Sequence, residues 1–260
     1  MNEHPILFSG EMVRAILEGR KVQTRRVIKP QPTYDTACGG HWYWLTGTWK
    51  SICVGCSTVE KFASRMLTPS VSLNHPRPRC PYGIPGDHLW VRETWAVPSI
   101  LDDKPPRAFA KWGVWFKADG AYATIETHGL PFGSGYPDHA QGKWRPSIFM
   151  PRWASRITLL VTGVRVERVQ SISEDDAKAE GVEPVMYDTG GFEPWGAPCP
   201  EVPNYAEGFA ALWDSINAKR TIVHEWEDDD GIVHRDKVPG GYSWQSNPWV
   251  WAVTFAVLAQ

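Results

Sequence analysis

The 260-residue sequence predicts an α+β fold: a small, barrel-like sheet that carries helices and long loops. Two observations predict it. Short apolar segments follow one another in the order strand, helix, strands, two helices, strands. The 22 Pro and 23 Gly residues indicate long connections between short elements. A hydrophobic fraction of 42% indicates a globular chain, which we treat as one elaborated domain over residues 1–260.

The first third of the chain predicts one strand, one helix, an insertion and a second strand. Residues 5–9 are a short apolar run typical of a strand. Over residues 10–19, apolar side chains recur at helical spacing and a terminal Gly marks the end of a helix. Residues 31–79 are a Cys- and Trp-rich insertion, and a turn then leads into a strand over residues 86–97.

The middle of the chain contains the clearest strand and a helix with a signal at each end. Residues 98–145 are irregular, apart from a strand-like run at 111–118. Residues 156–170 are rich in Val, Ile and Leu, which favours a strand. The segment 173–181 begins with a Ser, continues with acidic residues and ends with a Gly, so it predicts a short capped helix.

The last part of the chain predicts a loop, a helix, a hairpin and a closing strand. Residues 183–204 are a Pro/Gly-rich loop, and residues 205–217 have the spacing of an amphipathic helix. Residues 221–238 have the form of a hairpin around an Asp-Gly turn. The apolar run 247–258 predicts the final strand.

The charge balance excludes binding of nucleic acid through bulk charge. The chain has 27 basic and 29 acidic residues, a net charge of −2, so such contact must come from a local patch. Residues 14–29 are the candidate patch, with six basic side chains and one acidic one. No apolar run reaches the roughly 18–20 residues that cross a bilayer, and no signal peptide is evident. We therefore expect a cytoplasmic protein with reduced thiols that does not contact membranes.

Four strings of the sequence carry a resemblance to a known family. They are ILEGRKVQTRR, PGDHLWVRETW, RITLLVTGVRVERVQSISEDDAKAEGV and NPWVWAVTFAV, in this order. Together they resemble ASCH domain proteins, a branch of the PUA-like superfamily, and in particular the long, Trp-rich ASCH proteins of bacteriophage and prophage genomes. The resemblance implies one ASCH/PUA-like domain, a compact β-barrel with flanking helices, whose long Pro/Gly-rich insertions are embellishments.

The resemblance also implies an activity and a set of residues. A small bacterial branch of the family hydrolyses the amide of N(4)-acetylcytidine to give cytidine and acetate. Its catalytic Lys and Thr lie in a GRKxxTxR stretch that matches Lys21 and Thr24, and its Glu follows the central strand, as Glu180 does. Arg26 matches the arginine of the same stretch. The expected protein is an amidohydrolase that acts on the acylated exocyclic amine of a modified pyrimidine nucleoside.

The chemistry of these residues is consistent with such a reaction. Thr24 supplies a hydroxyl, which is inert without a base, and Lys21 is the nearest candidate base in the sequence. Neighbouring arginines and burial would lower the pKa of Lys21 from its ordinary value of about 10.4. Glu180 could orient or protonate the leaving amine, or hold the lysine. In a regular strand Lys21 and Thr24 would lie on opposite faces, so they converge only if the backbone turns between them.

Simpler interpretations of the same residues remain open at this point. The GRKVQTRR stretch could be a solvated basic edge, and Glu180 could be a surface residue of its helix. A non-catalytic protein that binds RNA or DNA, or reads a modified base, is the alternative function. Its evidence is the basic segment and the 15 Trp residues, since aromatic rings stack on bases.

Several residues are candidates for substrate binding. Trp90 is the aromatic candidate, although a position in the core is the more usual interpretation of such a Trp. Glu93 is an acid in an apolar strand that could bind a base edge, bind an arginine or form a buried ion pair. Arg25 and Arg26 complete the candidate set.

The cysteines indicate at most a structural metal. Four of the five Cys lie within 43 residues of the insertion and could bind zinc, although free thiols are the more usual reading. These four are Cys38, Cys53, Cys56 and Cys80. No dinucleotide, P-loop or HExxH motif is present, so no other cofactor is expected.

Overall fold

The computed structural model describes most of the chain. Described are residues 1–35, 41–46, 49–53, 79–104, 113–123, 141–187, 202–227, 233–239 and 241–258. These residues form strands and a few helices, which agrees with the predicted α+β class. No sheet closes into a barrel within these ranges, so the barrel itself is not confirmed. No helix among them is long and apolar enough to span a membrane.

In the part of the chain that the structure describes, the three α-helices lie where the sequence predicts them, and the structure contains more strands than the sequence predicts. The helices are α1 (Gly10–Leu17), α2 (Glu174–Ala179) and α3 (Tyr205–Asn217). The strands are β1 (Glu3–Leu7), β2 (Gln23–Val27), β3 (Thr33–Asp35), β4 (His41–Thr46), β5 (Trp49–Cys53), β6 (His88–Arg92), β7 (Trp95–Ala96), β8 (Val114–Phe116), β9 (Tyr122–Ala123), β10 (Thr158–Arg168), β11 (Val185–Tyr187), β12 (Val202–Asn204), β13 (Thr221–Glu227), β14 (Val233–Pro239) and β15 (Trp249–Val257).

The chain divides into two compact units, each made of separated segments. The first consists of Met1–Val22, Pro81–Gly163 and Thr254–Gln260, and the second of Gln23–Cys80 and Val164–Val253. β10 and β15 each run from one unit into the other. The single domain over residues 1–260 is a prediction that this division does not test.

The first unit is built on β6. β1 runs parallel to β6, with Glu3 opposite His88, and the start of β10 runs antiparallel to it, with Thr158 opposite Trp90. The Ser9 side chain caps α1 by accepting a hydrogen bond from the backbone N–H of Met12. The small β7–β8–β9 sheet belongs to this unit and contributes to a buried apolar cluster. That cluster consists of Trp95, Val97, Leu101, Val114, Phe116, Ala123, Met150 and Ala154.

The second unit packs α2 and α3 against the ends of three strands. Backbone hydrogen bonds join Ile28, just after β2, to Trp249 of β15, and Val169, just after β10, to Pro248. A buried apolar cluster lies between these strands and the two helices. It consists of Val169, Ile172, Ala177, Phe209, Trp213 and Val250. The insertion contributes the antiparallel β3–β4–β5 sheet, and the loop after α2 contains the β11–β12 pair, neither of which the sequence predicts.

Candidate functional site

The GRKVQTRR stretch begins in the first unit, where α1 ends. Gly19 adopts a φ of +74°, a left-handed conformation that glycine tolerates, and this ends the helix. The backbone N–H groups of Arg20 and Lys21 both donate to the carbonyl of Ala15, at 2.9 Å each. The Lys21 side chain is buried with 0% exposure, and its Nζ lies 5.8 Å from the centre of the Phe8 ring. At Lys21, therefore, the stretch is not a solvated edge.

The rest of the stretch forms β2 in the second unit, and its side chains alternate between two faces. Gln23 and Arg25 share one face, since the Gln23 Oε1 accepts a hydrogen bond of 2.6 Å from Nη1 of Arg25. Thr24 and the half-buried Arg26 therefore belong to the other face of the strand. Thr24 is 3% exposed. β2 thus presents two arginines in different settings.

Arg25 lies at the centre of a cluster of carboxylates. Its Nε donates to Glu167 at 2.9 Å, its Nη2 to Asp176 at 2.9 Å and its Nη1 to Glu180 at 3.3 Å. The Arg25 side chain is 0% exposed, and its guanidinium carbon lies 5.7 Å from the centre of the Phe209 ring. We name this group the Arg25 network, and it consists of Gln23, Arg25, Arg165, Glu167, Asp176 and Glu180.

Asp176 connects the buried part of the network with its outer part. Its Oδ2 also accepts a hydrogen bond of 2.5 Å from Arg165, whose side chain is 48% exposed, and its Oδ1 accepts one of 3.2 Å from Gln23. Burial raises the pKa of Asp176, but the charges of Arg165 and Arg25 and the hydrogen bonds from Gln23 and Arg25 outweigh it. The pKa of this carboxyl is therefore held below its ordinary value.

Glu180 lies at the C-cap of α2 and faces the interior of the second unit. The Ser173 side chain caps the start of this helix, and Gly181, with a φ of +75°, ends it as the sequence predicts. Glu180 is 4% exposed, so its interpretation as a surface residue of the helix is wrong. The structure brings Glu180 together with Arg25.

Glu93 and its partners form a separate ion cluster in the first unit. Both carboxylate oxygens of Glu93 accept hydrogen bonds from Arg156, at 2.9 and 3.0 Å, and Arg156 also pairs with Asp119 at 2.8 Å. Burial raises the pKa of Glu93 more than Arg156 lowers it, so the net shift is upward. Of the three interpretations of Glu93, the buried ion pair is the one this geometry favours. The sequence alone does not identify Arg156 as part of this cluster, because an arginine near the start of a strand does not indicate which carboxylate it binds.

The tryptophans whose side chains the structure describes lie mostly in the core. Trp90 is 8% exposed, and the Arg92 guanidinium lies 4.5 Å from the centre of its ring. The burial of Trp90 and the arginine over its ring favour a core role for this residue. Trp249 is fully buried and is covered by Arg168 at 4.6 Å.

The structure describes the predicted zinc site only in part. Cys38 and Cys56 lie outside the described residues, Cys53 lies in β5, and Cys80 is half-buried. Within the described ranges, no three His, Cys, Asp or Glu side chains are grouped so that they could hold a metal ion. Zinc at the insertion stays a prediction.

Comparison of the chain with family models, with curated proteins and with solved structures finds no match. The assignment of a function therefore depends on the residues themselves and on their surroundings in the two units.

Proposed function

We propose that this protein is an ASCH-type amidohydrolase of the PUA-like superfamily, which removes an acyl group from the exocyclic amine of a pyrimidine nucleoside such as N(4)-acetylcytidine. One observation carries the proposal: Lys21, Thr24 and Glu180 are 0, 3 and 4% exposed. Lysine and glutamate are rarely buried so completely without a partner or a function. The burial of each of these three residues argues against a solvated basic edge.

The proposed reaction assigns one role to each residue. The Thr24 oxygen attacks the amide carbonyl carbon while the Lys21 amine takes the hydroxyl proton, and the C–N bond then breaks as the nucleoside amine leaves with a proton. Water hydrolyses the acyl-threonine ester and releases the carboxylic acid. Glu180 orients or protonates the leaving amine, or holds the Lys21 side chain.

Arg26 is the better supported of the two substrate-binding arginines. It follows Thr24 by two residues in β2, so its side chain belongs to the face of the strand that carries the nucleophile. Its side chain is half-buried. A guanidinium at this position could bind the amide oxygen, where negative charge develops as the carbonyl is attacked.

The alternative, a non-catalytic reader of nucleic acid, has less support. Its basic segment includes Arg25, whose donors already bind carboxylates and whose side chain is buried. Its aromatic pocket includes Trp90, which Arg92 covers. Salt-dependent binding of RNA or DNA that is lost in Arg26→Ala, without any hydrolysis, would favour this alternative.

The test is an assay of the purified protein with N(4)-acetylcytidine and other N-acylated nucleosides, following release of the nucleoside and the acid. We expect hydrolysis by the wild type and losses of about 100- to 10,000-fold in kcat/KM for Lys21→Ala and Thr24→Val. Arg20→Ala is the matched control, because Arg20 lies in the same stretch, is exposed and pairs with Glu18. An inactive wild type, or a Lys21→Ala variant as active as the wild type, would refute the proposal.

A further inference from the structure

Arg25 connects three elements of the second unit through one planar group. It lies on β2 and binds Glu167 of β10 at 2.6 Å, Asp176 of α2 at 2.9 Å and Glu180 at the end of α2 at 3.3 Å. Its donors are therefore directed at the protein and not at a ligand.

The geometry of a guanidinium makes these contacts mutually dependent. Its donors lie in one plane at fixed angles, so that fixing some of them fixes the direction of the others. Glu167 holds Nε and Nη2, and Gln23 holds Nη1 at 2.6 Å. The donor that reaches Glu180 is consequently fixed by contacts to β10 and β2. Arg165 binds Asp176 from the solvent side and so holds α2 against the same group.

We infer that Arg25 is a positioning residue, which fixes the Glu180 carboxylate at the end of α2 and does not bind the substrate. The inference depends on the proposed function only in that it treats Glu180 as part of the catalytic machinery. It replaces the substrate-binding role that the sequence predicts for Arg25 and leaves that role to Arg26. A lysine keeps the charge of Arg25 but lacks the planar set of donors, so it cannot hold the same partners.

The kinetic test compares the two neighbouring arginines of β2. For Arg25→Lys we expect kcat to fall by up to about 100-fold, because small displacements of a catalytic group are costly, while KM changes less than about threefold. For Arg26→Lys, the control on the other face, we expect KM to rise. Asp176→Asn removes the negative charge of one partner of Arg25, and we expect it to lower kcat less than Arg25→Lys does, again without a rise in KM. An increase in KM at unchanged kcat for Arg25→Lys would overturn the inference.

A second measurement separates failure of this inference from failure of the proposed function. It is a double-mutant cycle on the unfolding midpoint in urea, with Arg25→Lys and Glu180→Gln made singly and together. If Arg25 holds Glu180, the two effects are not additive, whereas Arg25→Lys and Asp175→Asn are additive, since Asp175 lies on the same helix outside the network. If the wild type hydrolyses no acylated nucleoside, the proposed function fails, and the double-mutant cycle alone then tests whether Arg25 holds Glu180. Additivity of Arg25→Lys with Glu180→Gln would then refute the positioning role.

Discussion

At the scale of single residues, two arginines are stabilised inside the protein by more than one carboxylate each. Arg25 binds three, and Arg156 binds Glu93 and Asp119. A buried charge costs several kcal/mol in lost hydration, and only close partners with good geometry offset this cost. Removing one partner should therefore be far more damaging than removing a similar pair at the surface.

The Glu93–Arg156 pair allows this expectation to be measured. Arg156→Met leaves the buried Glu93 carboxylate, which is 2% exposed, without its two hydrogen bonds. We expect the free energy of unfolding in urea to fall by about 3–5 kcal/mol.

The matched control for this change is Arg152→Met. Arg152 binds Glu3 through two hydrogen bonds as well, but both side chains are more than 40% exposed. An exposed pair contributes about 0–1 kcal/mol, so this variant should unfold at nearly the wild-type urea concentration. Equal losses in the two variants would show that burial does not set the strength of the Glu93 pair.

At the scale of elements, the helices were predictable because their ends are encoded locally. Ser173 and Gly181 mark the two ends of α2, and the sequence predicts α3 over the residues that form it. Local sequence patterns do not predict the hydrogen bonds between α2 and α3. The Glu174 carboxylate of α2 accepts hydrogen bonds of 2.7 and 3.1 Å from the first two backbone N–H groups of α3, a pairing over about 30 positions that no local pattern contains.

A glycine within α3 tests the packing of this helix. Ala is favoured over Gly in a helix by about 1 kcal/mol, so helix propensity alone predicts that Gly208→Ala stabilises the protein. A Cβ at Gly208 would instead overlap the carbonyl oxygen of Glu183. We therefore expect Gly208→Ala to lower the melting temperature.

The control for Gly208 is Ala211→Gly, at an exposed position of the same helix. It removes helix propensity without a change in packing and should cost about 1 kcal/mol. A Gly208→Ala variant that melts above the wild type would mean that the backbone after α2 moves away at no cost.

The candidate site was less predictable than the helices, and β2 shows why. The string GRKVQTRR has the composition of a solvated basic edge, yet Lys21, Thr24 and Arg25 are buried. The burial of Arg25 depends on groups that lie far away in the sequence, namely the carboxylates of Asp176 and Glu180 about 150 residues later. Strand alternation does predict that Arg25 and Arg26 face different ways, but not which of the two faces the carboxylates.

At the scale of the whole molecule, the two compact units are interleaved in the sequence. The first combines the beginning, the middle and the last residues of the chain, and β10 and β15 pass from one unit into the other. A boundary between domains is usually recognised from a linker with its own composition. No such linker interrupts the strand-forming runs at 163–164 or 253–254, so the sequence could not indicate this division.

Truncation tests how strongly the first unit depends on its last segment. Phe255 is 2% exposed, its backbone N–H donates to Val22, and its ring lies 6.2 Å from that of Phe8. Ending the chain after Val253 removes these contacts, and the loss of one buried Phe alone costs about 3–5 kcal/mol. We expect the amides of β1 and β6 to lose their protection from hydrogen exchange.

The control truncation ends the chain after Leu258. It keeps the hydrogen bond of 3.0 Å from the Leu258 backbone N–H to Thr158, and the protection of β6 should stay at the wild-type level. Protection of β1 and β6 that survives removal of residues 254–260 would show that the first unit is complete without them.

The position of Phe255 also affects when the first unit can fold during synthesis on the ribosome. Residues 1–22 leave the exit tunnel well before the strand segment that completes their unit is made, more than 230 residues later. At an elongation rate of about 5–20 residues per second, this interval lasts on the order of tens of seconds. During that time the nascent N-terminal segment has apolar side chains but no finished partner, which makes it a candidate client for a ribosome-associated chaperone.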